Sequence, residues 1–193
     1  SDFKLAVDNN IELAASSIKA LEEIGAVKSE NRPKVHLEVD TGMTRGGFLA
    51  EWGKIDGHHV ANLDIVGIFS HFARADEPEQ EQNNSQRARF KEMIATLESF
   101  GFTSIARHLS NSAATLKDKD SRFDMVRTGI AIYGLTPDVN TLGTSASLGL
   151  KAAMTLRAKL HLVKEVPAHS PVGYGATAIT EGDTKLGIVA MGY

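Results

Sequence analysis

Two polar segments, residues 40–47 and 70–72, each follow an apolar run of the kind found in β-strands. The first reads Asp-Thr-Gly-Met-Thr-Arg-Gly-Gly and the second reads Ser-His-Phe. Polar and glycine-rich residues at the carboxyl ends of parallel strands are where α/β proteins bind ligands. Taken alone, the first segment is explained at least as well by an ordinary turn as by a ligand site. The histidine of the second segment is explained at least as well by packing in the core as by a catalytic role.

Two further segments have the composition of a phosphate site. Residues 108–112 read His-Leu-Ser-Asn-Ser, and residues 126–130 read Val-Arg-Thr-Gly-Ile. Hydroxyl and amide side chains and a glycine N–H are groups that hold a dianionic phosphate, which (β/α)8 barrels commonly bind after their last two strands. Two plain polar turns explain the pattern about as well. In a fifth segment, residues 172–176, glycines flank a tyrosine; this allows close approach to a ligand, although a structural turn is the commoner reason.

The intervening segments predict strands that alternate with helices. Strands are expected at residues 3–7, 35–39, 65–71, 105–109 and 124–126. Helical spacing of apolar residues predicts a helix from about Asn10 to Gly25 and a second helix that ends at Gly101. The second helix is expected to share one apolar face among Phe90, Met93, Ile94 and Leu97. This alternation predicts a parallel sheet with right-handed crossovers, either a barrel or an open doubly wound sheet.

The pattern changes after about residue 150. Residues 153–166 and 185–191 read as long strands with no amphipathic helix between them, and a loop rich in proline and glycine occupies residues 167–175. We therefore expect two domains, residues 1–147 and a β-rich domain over residues 148–193.

The composition excludes several classes of protein. The 193 residues are 42% hydrophobic and 23% charged, which is typical of a globular chain, and the net charge of −3 offers no electrostatic footprint for nucleic acid. No apolar run is long enough to span a bilayer, and the lack of cysteine removes disulfides and thiolate metal sites. We expect a cytoplasmic protein without a nucleic-acid, membrane or metal partner. Both ends read as folded sequence, so we expect them to be cuts inside a larger protein.

Taken in order, the polar segments resemble the alanine racemase family. That family carries Asp-Thr-Gly-Met-x-Arg, Thr/Ser-His-Phe-Ala, Asn-Ser, Arg-Pro-Gly-Ile-x-x-Tyr-Gly, Gly-Tyr-Gly-Ala-Thr and a later Gly-Tyr. The corresponding residues here are 40–45, 70–73, 111–112, 127–134, 173–177 and 192–193. The resemblance covers essentially the whole chain and implies an α/β fold. That fold is a partial (β/α)8 TIM-type barrel, from about strand 4 to strand 8, followed by the start of a β-rich C-terminal domain.

The resemblance implies an amino-acid racemase that depends on pyridoxal 5′-phosphate (PLP). Racemisation needs two bases on opposite faces of the substrate, and in the family one is the lysine that carries PLP. The other is a tyrosine donated across a homodimer interface, which Tyr174 matches. His71 matches a histidine beside that tyrosine. Arg127 matches the arginine under the cofactor, whose permanent charge keeps the pyridine nitrogen unprotonated.

The remaining roles concern the cofactor and the amino-acid substrate. Arg45 matches the arginine that contacts the phenolic oxygen of PLP and the substrate carboxylate, and Tyr193 matches a tyrosine that lines the substrate entry from the partner subunit. The cofactor-binding residues implied are Arg45, His71, Asn111, Ser112, Arg127 and the backbone amides of Gly129 and Ile130.

Two positions depart from the family pattern. Glu38 stands where the family often has a lysine that becomes carbamylated and orients the arginine equivalent to Arg45. We hypothesise that the Glu38 carboxylate replaces the carbamate; a bound anion, with Glu38 turned away, is the alternative. Thr128 stands where proline is usual, which loosens that turn.

The family implies interconversion of L- and D-alanine, which supplies D-alanine for cell-wall peptidoglycan. None of Lys4, Lys19, Lys28 and Lys34 has the sequence context of the family's PLP lysine, so we expect the chain alone to be inactive. An open barrel also leaves strand edges exposed, and we expect poor solubility, association or a changed arrangement. The alternatives are a racemase of serine, lysine or many amino acids, and a non-catalytic PLP-binding barrel. The β-rich segment with Tyr174 argues against the last.

Overall fold

The computed structural model describes residues 2–192, and the chain divides into two compact units, residues 1–153 and 154–193. The elements of the first unit are α1 (Asp2–Asp8), β1 (Leu13–Ala15), α2 (Ile18–Gly25), β2 (Lys34–Glu38), α3 (Gly57–Val60), β3 (Asp64–Phe69), α4 (Glu81–Ser99), β4 (Ala106–His108), α5 (Ser112–Lys117) and α6 (Val139–Leu142). Short 3-10 helices in this unit cover Trp52–Lys54, Lys119–Ser121 and Ile130–Tyr133.

The first unit is built on a four-stranded parallel sheet in the order β1-β2-β3-β4. Alternate residues of its strands are buried against the crossover helices, because successive side chains of a strand point to opposite faces. Val35 and Leu37 of β2 are fully buried in one core with Leu21 of α2 and Phe90 of α4. The other face of β2 carries polar side chains, among them His36.

Three of the five expected strands and the long helix are confirmed. Strands β2, β3 and β4 lie within one residue of the predicted starts, and α4 buries Phe90, Ile94 and Leu97 on one face. Helix α4 ends at Ser99, and Gly101 follows with a φ of 92°, the left-handed conformation that glycine supplies after a helix.

The prediction of a strand at residues 3–7 is wrong, because these residues form helix α1. The alternation of Phe3, Leu5 and Val7 is typical of a strand. In the structure Val7 is buried and Phe3 packs on the core, while Leu5 is 67% exposed. Positions three and seven are four residues apart and share one side of a helix. The apolar residues therefore follow the spacing of a helix rather than the alternation of a strand.

The helix predicted from Asn10 is also wrong in its first half. Leu13–Ala15 forms strand β1, which pairs with β2, and the helix begins only at Ile18. Ser17 is its N-cap and accepts a hydrogen bond from the backbone N–H of Ala20 at 3.2 Å. Gly25 is the last residue of the helix rather than the residue after it.

Residues 124–126 do not form the expected strand. They run beside β4, since the N–H of Asp124 donates to the Arg107 carbonyl at 3.1 Å and the N–H of Arg127 donates to the Ser110 carbonyl at 3.0 Å. Phe123 has a positive φ of 48°, which interrupts a regular ladder at this point.

The second unit consists of two antiparallel pairs. Strand β5 (Leu160–Val166) pairs with β8 (Thr184–Val189), and β6 (Pro171–Val172) pairs with β7 (Ala178–Ile179). A 3-10 turn covers Tyr174–Ala176. The β-rich character is as predicted, although the first strand begins at Leu160 rather than at residue 153. None of the described helices combines the length and the apolar character that crossing a membrane requires.

The register between β2 and β3 shifts between Val35 and His36. Val35 lies opposite Ile65, but His36 lies opposite Gly67, so one residue of β3 is passed over. A Cβ atom on Gly67 would overlap the Nδ1 atom of the His36 ring. The glycine in mid-strand therefore makes room for an imidazole.

We expect Gly67→Ala to lower the free energy of unfolding by about 1–3 kcal/mol, the usual cost of overpacking. The matched control is Gly57→Ala, where nothing lies within 4 Å of the added Cβ, and we expect it to change stability by less than about 1 kcal/mol. Urea unfolding of the three chains measures both effects. Equal stability of the Gly67 variant and the unmodified chain would contradict the register.

Candidate active site

Arg127 lies at the carboxyl ends of β3 and β4, where it donates hydrogen bonds to backbone carbonyls of both strand ends. Its Nη1 donates to the carbonyl of His108 at 3.0 Å and to the ring Nδ1 of His108 at 2.7 Å. Its Nη2 donates to the carbonyl of Ser70 at 2.6 Å. The guanidinium also lies over the Phe69 ring, 5.2 Å from its centre. Two strand ends therefore fix the plane of this guanidinium.

The Nε–H of Arg127 is the donor that remains. The hydrogen bonds made by the guanidinium to residues 2–192 all use Nη1 or Nη2. Burial lowers the pKa of Arg127, the charge of Glu38 opposes that shift, and the charge of Arg45 adds to it. The arginine pKa is so high that the group keeps its proton in proteins. The site therefore offers a charged N–H donor of fixed direction.

His71 lies beside this guanidinium, with its Nδ1 atom 3.4 Å from Nη2 of Arg127. Burial lowers the pKa of the His71 imidazole, and the nearby charges of Arg127 and Arg45 lower it further. Because an arginine can only donate, Nδ1 of His71 is the acceptor and the ring carries its proton on Nε2. The histidine is thus a neutral group next to two cations.

The residues matched to a phosphate cradle come together after β4. The Ser112 hydroxyl accepts hydrogen bonds from the N–H of Gly129 at 2.9 Å and of Ala131 at 3.3 Å. Asn111 caps α5, and its side-chain oxygen accepts from the N–H of Ala114 at 3.1 Å. The amide of Ile130 lies in sequence between the two amides that Ser112 holds, at the start of the 3-10 helix Ile130–Tyr133.

The loop after β2 is held by one carboxylate. Asp40 accepts three backbone hydrogen bonds through Oδ1, from Gly42 at 2.8 Å, Met43 at 3.0 Å and Thr44 at 3.1 Å. Gly47 closes the loop with a φ of 104°, and a Cβ there would lie 2.7 Å from the backbone N of Asp40. The conformation of this turn therefore requires glycine.

Arg45 is exposed at this loop, and with Glu38, Met43 and His71 it lines one small cleft. No hydrogen bond or ion pair joins Glu38 to Arg45 among residues 2–192. The Glu38 carboxylate instead lies 3.3 Å from where a Cβ on Gly46 would be. A direct Glu38–Arg45 pair, the simplest form of the carbamate-replacement hypothesis, is therefore not formed here.

Gln86, which the sequence motifs do not single out, is 1% exposed in the second turn of α4. Its side-chain oxygen accepts from the N–H of Ala73 at 2.9 Å, and its nitrogen donates to the His71 carbonyl at 2.9 Å and to the Thr41 hydroxyl at 3.2 Å. Gln86 thus joins the loop after β2 to the loop after β3. A polar residue on the buried face of a predicted helix was the available signal.

His108, which begins one of the polar segments, was given no role by its sequence context. Tyr174, in the second unit, is fully exposed between Gly173 and Gly175, whose φ angles are 70° and 73°. Tyr193 lies outside the described residues.

Comparison with known proteins identifies the family. The alanine racemase N-terminal domain matches residues 1–137, and the alanine racemase C-terminal domain matches residues 153–193. This chain belongs to the alanine racemase family. The resemblance seen in the six ordered motifs is therefore confirmed.

Individual relatives agree with the family models. The chain is 42% identical to an alanine racemase of Streptomyces coelicolor over 99% of its length and 41% identical to one of Salinispora arenicola over 95%. It spans about half the length of these curated relatives, 51% and 50%. The crystal structure of the alanine racemase from Streptomyces lavendulae superposes with a TM-score of 0.87 at 40% identity, covering 96% of this chain and 50% of that one. The predicted fold, a partial (β/α)8 barrel followed by the start of a β-rich domain, is confirmed.

We expect the free energy of unfolding to fall as the pH is lowered from about 6.5 towards about 3. Burial, Arg127 and His36 lower the pKa of His108 to about 3 in the folded chain, whereas an unfolded histidine titrates near ~6.5. The unfolded state therefore binds the extra proton across this window, and the stability present above it is lost on acidification.

Urea unfolding at a series of pH values measures this slope. Carboxylates add a slope of their own, so the comparison is with His108→Asn, which should show a shallower dependence, and with His161→Asn on exposed β5, which should keep the full one. An unchanged slope in His108→Asn would show that His108 does not carry the effect.

Proposed function

We propose that this chain is part of an alanine racemase that interconverts L- and D-alanine with PLP and supplies D-alanine for cell-wall peptidoglycan. One observation carries the proposal: in a member of this family, Arg127 is held at two strand ends with its Nε–H left for an acceptor. The alanine racemase name of the relatives supports the choice of alanine over serine or lysine.

The residues present fit PLP. Ser112, Asn111 and the amide of Ile130 would hold the phosphate, and the Gly129 amide, now donated to the Ser112 hydroxyl, would join them by sharing its hydrogen bond. No atom lies within 4 Å of where a Cβ on Gly129 would be, which leaves room for the phosphate there. Amides at the start of short helical turns are suited to an anion. The bound cofactor would supply an electron sink for the negative charge that develops at the substrate α-carbon.

Arg127 would set how strong that sink is. Its Nε–H would donate to the pyridine nitrogen without surrendering its proton. The ring nitrogen would then stay unprotonated and withdraw less charge than a pyridinium. Arg127 would therefore limit side reactions while still orienting the ring.

Tyr174 would act as one of the two bases, contributed from the partner subunit of a homodimer. The phenolate oxygen of Tyr174 would take the α-proton from one face of the substrate, becoming the phenol, and would return that proton to the same face in the reverse reaction. A free phenol has a pKa of about 10, so nearby cations must stabilise its anion. Arg45 and Arg127, beside an uncharged His71, supply positive charge at the barrel side of the site.

The carboxylate of the substrate would be held by Arg45, which is exposed on the loop after β2 and makes no hydrogen bond to the described residues. Tyr193 would line the substrate entry from the partner subunit. Both assignments follow the motif positions.

Binding of PLP to the chain tests the cradle and the arginine together. We expect a fluorescence titration to show saturable binding, and Arg127→Leu and Ser112→Ala each to raise the Kd at least about tenfold, the loss of about 1.4 kcal/mol of binding free energy. Arg157→Leu, in the exposed segment before β5, is the matched control and should bind as the unmodified chain does. Equal affinity of all four chains would contradict the proposed cofactor site.

Racemisation by the whole polypeptide that contains this chain tests the activity. We expect L-alanine to be converted to D-alanine, with serine and lysine turned over more slowly, and Tyr174→Phe to lower kcat by about 10²–10⁴-fold, the usual contribution of a general base. Because each base serves one face, exchange of the α-hydrogen with D2O should survive better for one enantiomer than for the other. Equal residual exchange of both enantiomers in Tyr174→Phe would rule out the two-base assignment.

A further inference from the structure

A line of four hydrogen-bonded side chains runs from Arg127 to the protein surface. Nη1 of Arg127 donates to Nδ1 of His108 at 2.7 Å, Nε2 of His108 lies 2.9 Å from Nδ1 of His36, and Nε2 of His36 lies 2.8 Å from a carboxylate oxygen of Glu12. Glu12 precedes β1, His36 is in β2 and His108 ends β4. The line therefore crosses the sheet from its first strand to its last.

The chemistry of the two ends fixes the proton on every ring between them. Arginine can only donate hydrogen bonds, and an ionised carboxylate can only accept them. Nδ1 of His108 must therefore be unprotonated, which places the proton of that ring on Nε2. This proton is donated to Nδ1 of His36, whose own proton is then on Nε2 and is donated to Glu12. One arrangement of protons satisfies all three bonds, and both histidines are Nε2–H tautomers in it.

The sheet is adapted to this line of contacts. His36 and His108 are in strands that do not pair with each other, and β3 lies between them. The rings meet because Gly67 of β3, opposite His36, has no side chain in the way. Phe69 then stacks on His108, with ring centres 5.0 Å apart and planes 10° from parallel. The shift in register at His36 brings the ring to this opening.

Burial separates the two ends of the line. The His36 side chain is 13% exposed, whereas the Glu12 side chain is 52% exposed and accessible to solvent. His108 is buried, and burial and then the charge of Arg127 lower its pKa to about 3, so it is neutral at physiological pH. The only negative charge among the four side chains is thus on Glu12 at the surface, and two histidine rings in the neutral tautomers derived above link it to the partly buried guanidinium of Arg127.

We propose that Glu12 and His36 are positioning residues that hold Arg127 in its working orientation by fixing the tautomer of His108. Without Glu12, the Arg127 end alone opposes the reverse arrangement of protons, in which His36 donates from Nδ1. His108 must then carry its proton on Nδ1, where it meets an N–H of Arg127, and two donors face each other. The guanidinium would leave its place between the strand ends. The consequence for catalysis rests on the proposed function, but the assignment of a proton to Nε2 of each histidine does not.

The test is the tautomeric state of both histidines in the full 193-residue chain, measured by two-bond ¹H–¹⁵N correlation NMR with ¹⁵N-labelled histidine. We expect both rings to be Nε2–H tautomers in the unmodified chain. Glu12→Ala should bring His108 to comparable populations of the two tautomers. Glu12→Gln keeps an oxygen acceptor and should restore the single tautomer. Glu22→Ala, an exposed glutamate of α2, is the matched control and should change nothing.

An Nδ1–H or doubly protonated His108 in the unmodified chain would overturn the proposal, and so would unchanged tautomers in Glu12→Ala. Because Glu12 is an exposed residue, its loss should leave the melting temperature within a few degrees of the unmodified chain's, since exposed ion pairs contribute little. A purely structural role would move the melting temperature and leave the tautomers alone. The measurement needs neither PLP nor turnover. If the whole polypeptide fails to racemise alanine while the tautomers respond as expected, the proposed function is wrong. The positioning of His108 by Glu12 and His36 is still supported in that case.

Discussion

The orientation of the Arg127 guanidinium depends on acceptors that the sheet itself provides. Arg127 is partly buried, and a cation removed from water is costly unless its N–H groups are paired. The carbonyls of Ser70 and His108 provide that pairing because each lies just at or beyond the end of a parallel strand. Hydrogen bonds to a charged group are worth about 1.5–3 kcal/mol each, so the relative positions of β3 and β4 determine where the guanidinium points. The cradle at Ser112 follows β4 directly and is fixed by the same strand.

The loops around the arginine are joined by buried polar contacts rather than by apolar packing alone. Gln86 reaches from α4 to both the Thr41 hydroxyl and the His71 carbonyl, and Thr41 in turn lies 2.8 Å from the Ser70 hydroxyl. Such networks hold a single arrangement when every member is paired. The same loops therefore position both His71 and Arg127. The direct contact between them, from Nη2 of Arg127 to Nδ1 of His71, is long at 3.4 Å.

Much of the barrel part could be predicted because its signals are local. Residues 35–39 and 65–71 are short apolar runs ended by polar turns, and α4 has a single apolar face closed by Gly101. The first helix was mistaken for a strand because a five-residue apolar run fits both periods. The fifth strand was predicted from three apolar or extended residues, a length at which a turn at Phe123 decides the outcome.

The motifs supply the candidate site residues, but not the contacts between them. The meeting of His36 with His108 depends on a shift in register and on a glycine in a third strand, and neither can be read from spacing along the chain. The same holds for Glu38, which the motif alignment placed next to Arg45. The carboxylate lies beside Gly46, and its charge raises the pKa of Arg127 against the larger, lowering effect of burial. Contacts between distant segments are set by packing, which a single sequence does not display.

The most direct test of the account is the protonation state of the cofactor ring, which Arg127 is proposed to control. PLP labelled with ¹⁵N at the pyridine nitrogen can be bound to the whole polypeptide that contains this chain and observed by NMR. We expect the chemical shift of an unprotonated ring nitrogen that accepts a hydrogen bond, and we expect it to stay constant across the neutral pH range. A shift characteristic of a pyridinium would contradict it, because an arginine fixed as described cannot supply that proton.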